Sequence, residues 1–265
     1  MMYFTVTPKH TARFHNEGYL IVRQLLTCDE SNILGRIAKN DREMDQSVKR
    51  MDRSGLASKL RVNNELDAGI YSSIARCRRL VRTMEAMLGD EVYHFHHKMM
   101  VKEPRIGGAW EWHQDYGYWY TQQSCLWPDM ASCMIAVDRS TRENGCLQVL
   151  KASHRCGRID HGAAGEQVGA DPKRVDALTQ QLDLVHVELD PGDGLFFHSN
   201  LLHRSDQNRS KDPRWTLICC YNTRHNSPYC DKHSHPAYTP LESVADQEVL
   251  AIGKRQWATM QAGIQ

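Results

Sequence analysis

Between residues 91 and 223 the sequence is a series of short β-branched or aromatic runs cut by turn residues, and this rhythm constrains the fold most. The runs are Glu91–Val101, Cys133–Asp138, Cys146–Leu150, Leu184–Leu189, Leu195–Phe197 and Arg214–Tyr221. They alternate with Pro104, Gly107-Gly108, Glu143-Asn144-Gly145, Asp190-Pro191-Gly192-Asp193-Gly194 and Asp212-Pro213. Many short strands with such punctuation predict a β-sandwich or barrel.

The stretch before residue 91 has a different period and reads as mainly helical. Thr7-Pro8 is a cap followed by Pro at the first helical position, and Gly18 is the stop. Tyr19–Val22 reads as a short strand. Thr27 and Glu30 form a capping-box pattern ahead of Ile33, Leu34 and Ile37. A third helix is predicted over Ser72–Leu88, ended by Gly89-Asp90. We expect one domain: a helical flank over 1–90, a β core over 91–223, and a C-terminal extension over 224–265. Arg155–Gln181 is glycine-rich with little strand signal, and a loop of that length predicts either a lid over a pocket or a surface insertion.

Composition excludes several classes. Lys plus Arg number 33 against 32 Asp plus Glu, so no global field draws the chain to nucleic acid or an anionic membrane. No apolar run approaches the roughly 18 residues that span a bilayer. The start lacks a secretory pattern, and nine scattered cysteines without a C-x-x-C pair predict reduced thiols in the cytoplasm.

The chemistry is concentrated in two segments. In Gly107–Tyr120, His113 and Asp115 are two apart, which on a strand puts imidazole and carboxylate on one face. In Pro191–Thr223, a turn leads into an apolar strand, then His203, a polar loop, and a strand starting at Arg214. Arg214, Thr216, Ile218 and Cys220 share a face of that strand, while Cys219 points away. A buried arginine there needs an anion. His203 and Arg214 are expected side by side on adjacent strands of a hairpin. Two histidines and a carboxylate on one side of a metal leave three positions open, an arrangement suited to iron(II) enzymes that activate dioxygen. The guanidinium would grip the far carboxylate of a bidentate keto acid.

These segments resemble the phytanoyl-CoA dioxygenase family of iron(II)- and 2-oxoglutarate-dependent oxygenases. The likeness is carried by HQD at 113–115, ENGCLQVLKASH at 143–154, PGDGLFFHSNLLHRS at 191–205 and the arginine eleven residues after His203, within about residues 7–223. It implies a double-stranded β-helix (jelly-roll) core with helices outside. It implies His113, Asp115 and His203 as iron ligands, and Arg214 with Ser205 nearby as the anchor of 2-oxoglutarate. Thr216 and Lys98 are further expected contacts of that co-substrate, and Lys59 or Arg61 a basic residue reaching it from the helical region. Met134 stands where the family places a large residue. The activity implied is hydroxylation of a small organic molecule, with O2 consumed and succinate and CO2 released; an anionic or zwitterionic substrate is expected from Arg158 and His161 instead. Asp115 argues against a halogenase. A cupin-like metalloenzyme without a keto acid, or a silent binding protein on the same fold, are the alternatives; loss of the anchor or of a ligand would mark them.

Substrate contacts are expected from Arg158 and His161 in the lid and from Tyr116 and Trp119 beside the H-x-D. The cluster His94, His96 and His97 lacks a third ligand at useful spacing and is not read as a metal site. His186 and His198 read as barrel-wall or turn residues, and His233 and His235 as solvated. Neither the substrate nor the oligomeric state is legible.

Overall fold

Helix α1 (Pro8–Glu17) starts where Thr7 accepts the His10 amide and ends at Gly18, whose φ of 82° only glycine adopts without strain. Strand β1 (Tyr19–Val22) follows, then α2 (Cys28–Asn40), opened by a reciprocal Thr27–Glu30 capping box. The structure, a computed structural model, describes residues 3–230 and 236–263, so His233 and His235 lie outside the described residues.

The flank departs from the helical expectation in two places. Residues 48–63 form a hairpin of β2 (Val48–Met51) and β3 (Ala57–Asn63), turned at Gly55 with φ 82°. Its signal was the alternation of Leu60 and Val62 with Lys59 and Arg61. The predicted helix over 72–88 is split into α3 (Ile70–Ala75) and α4 (Arg78–Leu88). The C-terminal segment occupies the break: Arg78 donates its amide to the Val244 carbonyl, and Val244 returns one to Arg76. No sequence-local signal reports that partner.

The remaining elements are β4 (Val92–Lys102), β5 (Trp110–His113), α5 (Asp115–Gln122), β6 (Met130–Ala136), β7 (Leu147–Leu150), β8 (His161–Ala164), β9 (Gln167–Ala170), α6 (Pro172–Thr179), β10 (Leu184–Val187), β11 (Gly194–His198), β12 (His203–Ser205), β13 (Arg214–Thr223) and α7 (Glu248–Ala262). They form a seven-stranded sheet in the order β1-β11-β6-β13-β4-β3-β2 and a four-stranded sheet β10-β7-β12-β5. This is the expected double-stranded β-helix. The segment 155–181 is not a structureless loop: it carries the β8–β9 hairpin, closed at Gly165 with φ 67°, and α6.

Strand alternation sorts the large sheet's side chains into two layers. Met99, Val101, Leu217 and Cys219 face a helical core containing Leu34, Ile37, Leu80 and Met84. Met100, Met134, Ile218 and Cys220 face inward toward the small sheet. Cys219 and Cys220 thus point to opposite faces, as the pattern required. Helix α7 lies on α2 and α3. It is admitted by Gly253, where a Cβ would come within 2.7 Å of Ile70 and 3.0 Å of Ile33. No helix among the described residues is long and apolar enough to cross a membrane, and all nine cysteines are free thiols.

Candidate active site

The small sheet brings two histidines together by register. His203, first residue of β12, pairs across the strands with His113, last residue of β5. Their ring centroids are 4.0 Å apart. Each is oriented by its own backbone: His113 Nδ1 lies 2.7 Å from the Glu111 carbonyl and His203 Nδ1 2.9 Å from that of Leu201. A donated Nδ1–H leaves each Nε2 lone pair free for a ligand. Burial, and for His113 the neighbouring His203, pushes both pKa values down, so both rings are neutral.

Asp115 is not on a strand, as the H-x-D argument assumed; β5 ends at His113 and Asp115 opens α5. Convergence survives because Gln114 between them is extended, with φ −112° and ψ 134°. Its side chain therefore points the other way. There it donates to the carbonyls of Gly157 (2.8 Å) and Asn200 (2.7 Å) and accepts the Ile159 amide. Asp115 Oδ1 sits 3.9 Å from both Nε2 atoms, while its Oδ2 accepts from Ser132 at 3.1 Å. Lys98 Nζ is 3.9 Å from Oδ1. Burial opposes charge on both groups, but the attraction prevails: Asp115 lies below its ordinary pKa and Lys98 above. One donor atom from each of His113, Asp115 and His203 falls within 4.8 Å of the others, and all three side chains are buried. Two neutral imidazoles and a carboxylate with open positions fit ferrous iron.

Arg214 faces this triad from the opposite sheet. It is on β13, not in a hairpin with β12, so the two strands lie across the sandwich rather than side by side. The polar connection from 206 to 213 crosses between sheets, which a period-two reading cannot distinguish from a tight return. Arg214 is 2% exposed and donates Nη1–H to the Gly145 carbonyl, yet no carboxylate pairs with it among the described residues. Burial lowers its pKa to about 10, so it stays charged at neutral pH. Its Nε and the hydroxyl of Thr216, two residues along the same face, have no protein partner. A buried cation without a carboxylate, with one guanidinium N–H and a neighbouring hydroxyl still unbonded, fits the carboxylate of a bound keto acid. Both ends open on one cavity of about 540 Å³, lined also by Ser205, Lys98, Met134, Trp110 and Trp119.

A family model described as phytanoyl-CoA dioxygenase matches residues 14–216. The chain belongs to the phytanoyl-CoA dioxygenase family. L-Proline trans-4-hydroxylase of Streptomyces griseoviridis is 25% identical, over 86% of this chain and 89% of that protein. Ectoine dioxygenase of Stutzerimonas stutzeri is 22% identical, over 85% of this chain and 81% of that protein. The iron-bound crystal structure of EctD from S. alaskensis superposes with a TM-score of 0.76 at 20% identity, covering 91% of this chain and 88% of that one. Together with the triad, family membership makes the chain an iron(II)- and 2-oxoglutarate-dependent dioxygenase.

Within this family frame the expected substrate contacts divide. Trp119 lines the cavity, edge-on to His96 at 5.9 Å between centroids. Tyr116 does not: it is buried in the core and its hydroxyl donates to the Leu126 carbonyl. Arg158 is also outside the cavity, paired with Asp160 at 2.9 Å and stacked 4.5 Å over Tyr120. His161 is turned away and fully used. Its Nε2 accepts the Gln114 amide at 2.9 Å, and its Nδ1 donates to Ile159 at 2.8 Å. Neither lines the cavity; through Tyr120 and the Gln114 amide the two side chains tie the 155–170 segment to the metal-ligand segment. Lys59 and Arg61 lie on the face of β3 opposite the lining Leu60 and Val62, paired with Glu103 and Glu43. Neither lines the cavity. His94 and His97 lie 3.0 Å apart, and His97 meets Asn63.

Sequence reasoning missed two sets of residues. Ser132 and Gln114 orient the triad, but a lone serine or glutamine carries no signal. Arg50, Gln122, Gln123, Glu166 and Val168 line the outer cavity. Arg50 and Glu166 come from the two hairpins that were read as helix and loop.

Proposed function

We propose that this dioxygenase hydroxylates a compact polar organic molecule, with His113, Asp115 and His203 holding iron. Arg214 and Thr216, with Ser205, take the distal carboxylate of 2-oxoglutarate, and Lys98 neutralises charge beside Asp115. The observation that carries the reading is the cavity itself. It is lined by a buried Arg214 without a carboxylate partner on the large sheet and, across room of about 540 Å³, by His113 and His203 of the small sheet with Asp115 at the start of α5. When bound, the iron centre activates dioxygen while 2-oxoglutarate is converted to succinate and CO2. The chain's own residues bind, orient and exclude water. The aromatic Trp110, Tyr118 and Trp119 and the apolar Leu60, Val62 and Met100 line the cavity.

We further read the chain as one cytoplasmic domain. Its α7 shares the helical core with α2 and α3, and its nine free thiols suit a reducing compartment.

Anaerobic addition of iron(II) and 2-oxoglutarate tests the reading. A weak visible band near about 500 nm, as for ferrous iron chelated by a keto acid, is expected only when both are present. On admitting air, slow succinate release without added substrate follows. Absence of both overturns the proposal.

A further inference from the structure

The charged groups lining the cavity can be assigned one by one until two remain. Asp115 belongs to the triad and Lys98 faces it. Arg214 anchors the keto acid in the reading above. Arg204 lies 5.0 Å over the Trp112 ring and donates to Gln148 at 3.0 Å. That leaves one cation, Arg50 on β2, and one anion, Glu166 at the β8–β9 turn. Both side chains are exposed where they line the cavity, and among the described residues neither side chain has an ion-pair or hydrogen-bond partner, whereas nearby Arg53 and Lys59 are paired with Glu111 and Glu103.

The two hairpins abut. Gln167 donates to the Met51 carbonyl at 3.1 Å, and a Cβ at Gly165 would lie 3.7 Å from the Arg53 side chain. Opposite charges thus line one cavity from touching hairpins without pairing with each other. The same cavity is lined by Leu60, Met100, Trp110, Tyr118 and Trp119 and by the triad. A ligand carrying both charges at one end and C–H bonds at the other is held with those bonds toward the metal ligands.

We propose that Arg50 and Glu166 are the specificity-determining pair of a zwitterionic substrate: Arg50 takes its carboxylate and Glu166 its ammonium. This rests on the dioxygenase reading and deepens it. The position matters because a charge-assisted contact contributes about 1.5–3 kcal/mol, roughly tenfold or more in affinity.

The test uses the full chain with iron(II), 2-oxoglutarate and air. The twenty common amino acids are screened for stimulation of succinate release. The best is then compared with its methyl ester and its N-acetyl derivative. In the wild type each derivative should lose about tenfold or more in kcat/KM. Arg50→Gln should collapse the acid-to-ester ratio toward one and spare the amine-to-N-acetyl ratio; Glu166→Gln should do the reverse. A purely structural effect would lower all values and leave the ratios unmoved, and that result overturns the proposal. So does a wild type whose basal succinate release no zwitterion of the set raises. Failure of the underlying reading is distinct: it shows as no basal release in the wild type, or release that persists in Asp115→Ala.

Discussion

Arg214 is a full charge in a dry place, without a carboxylate to balance it. A protein tolerates this only where a ligand completes the pair, because an uncompensated buried charge costs roughly 3–5 kcal/mol. Replacing Arg214 by Leu should therefore weaken 2-oxoglutarate by about two to three decades, read by anaerobic titration of the visible band. Iron affinity should change little, since Arg214 is not one of the triad. Asp115→Ala should instead remove iron, read by metal content after dialysis, while far-UV circular dichroism remains unchanged. An Asp115→Ala protein that retains stoichiometric iron would contradict the ligand set. At this scale the sequence was legible where one residue implies a partner of a given charge. The H-x-D spacing, His203 and the arginine on an inward strand face all carried that information. It was illegible for Arg158 and His161. Nothing in a primary sequence says that His161 spends both ring nitrogens on backbone groups, or that Arg158 finds Asp160 and Tyr120.

The β8–β9 hairpin is coupled to the metal ligands through one close approach. His161 stacks over Gly117 in the first turn of α5, two residues after Asp115, and a Cβ at Gly117 would meet its ring at 2.2 Å. Gly117→Ala must displace either the ring or the helix start. We expect substrate-stimulated succinate release to fall about tenfold or more, because small misplacements near the reacting centre cost on that scale. His161→Ala makes room for the methyl group but leaves the Gln114 amide without its acceptor, at about 1–3 kcal/mol of stability. The double variant should therefore turn over better than Gly117→Ala alone, a non-additivity measured by a four-protein cycle. Strict additivity would mean that the two side chains do not communicate. The same hairpin shows why elements were read unevenly. Capping at Thr7 and Thr27 and the stops at Gly18 and Gly89 are local codes that survived intact. The hairpins at 48–63 and 161–170 are edge elements, short and rich in charge or glycine. Their strand character comes from neighbours such as Gln167, which bridges Met51, Ala109 and the Glu111 amide.

Across the whole molecule the two faces of the large sheet carry different tasks. The inner face holds the cavity; the outer face holds a helical layer closed by α7, which lies beyond the family match that ends at residue 216. The pin of that layer is an ion pair between Arg79 and Glu30 at 2.9 Å, with side chains 0% and 1% exposed, and with Asp246 3.7 Å from the same guanidinium. These three join α4, α2 and the segment leading to α7, the connection that also splits the predicted 72–88 helix. Glu30→Gln keeps the shape and the acceptor for the Thr27 amide but removes the charge. Breaking a buried pair costs roughly 3–5 kcal/mol. For a chain of this length each kcal/mol lowers Tm by about 2–4 °C, so a fall on the order of 6–20 °C is expected by calorimetry. Iron and 2-oxoglutarate affinities at 20 °C should stay within about twofold of wild type, because Met99, Val101, Leu217 and Cys219 separate this layer from the cavity. If Tm holds while 2-oxoglutarate affinity drops, the division of labour between the two faces is wrong. In that case the helical layer shapes the site directly instead of supporting the sheet that carries it.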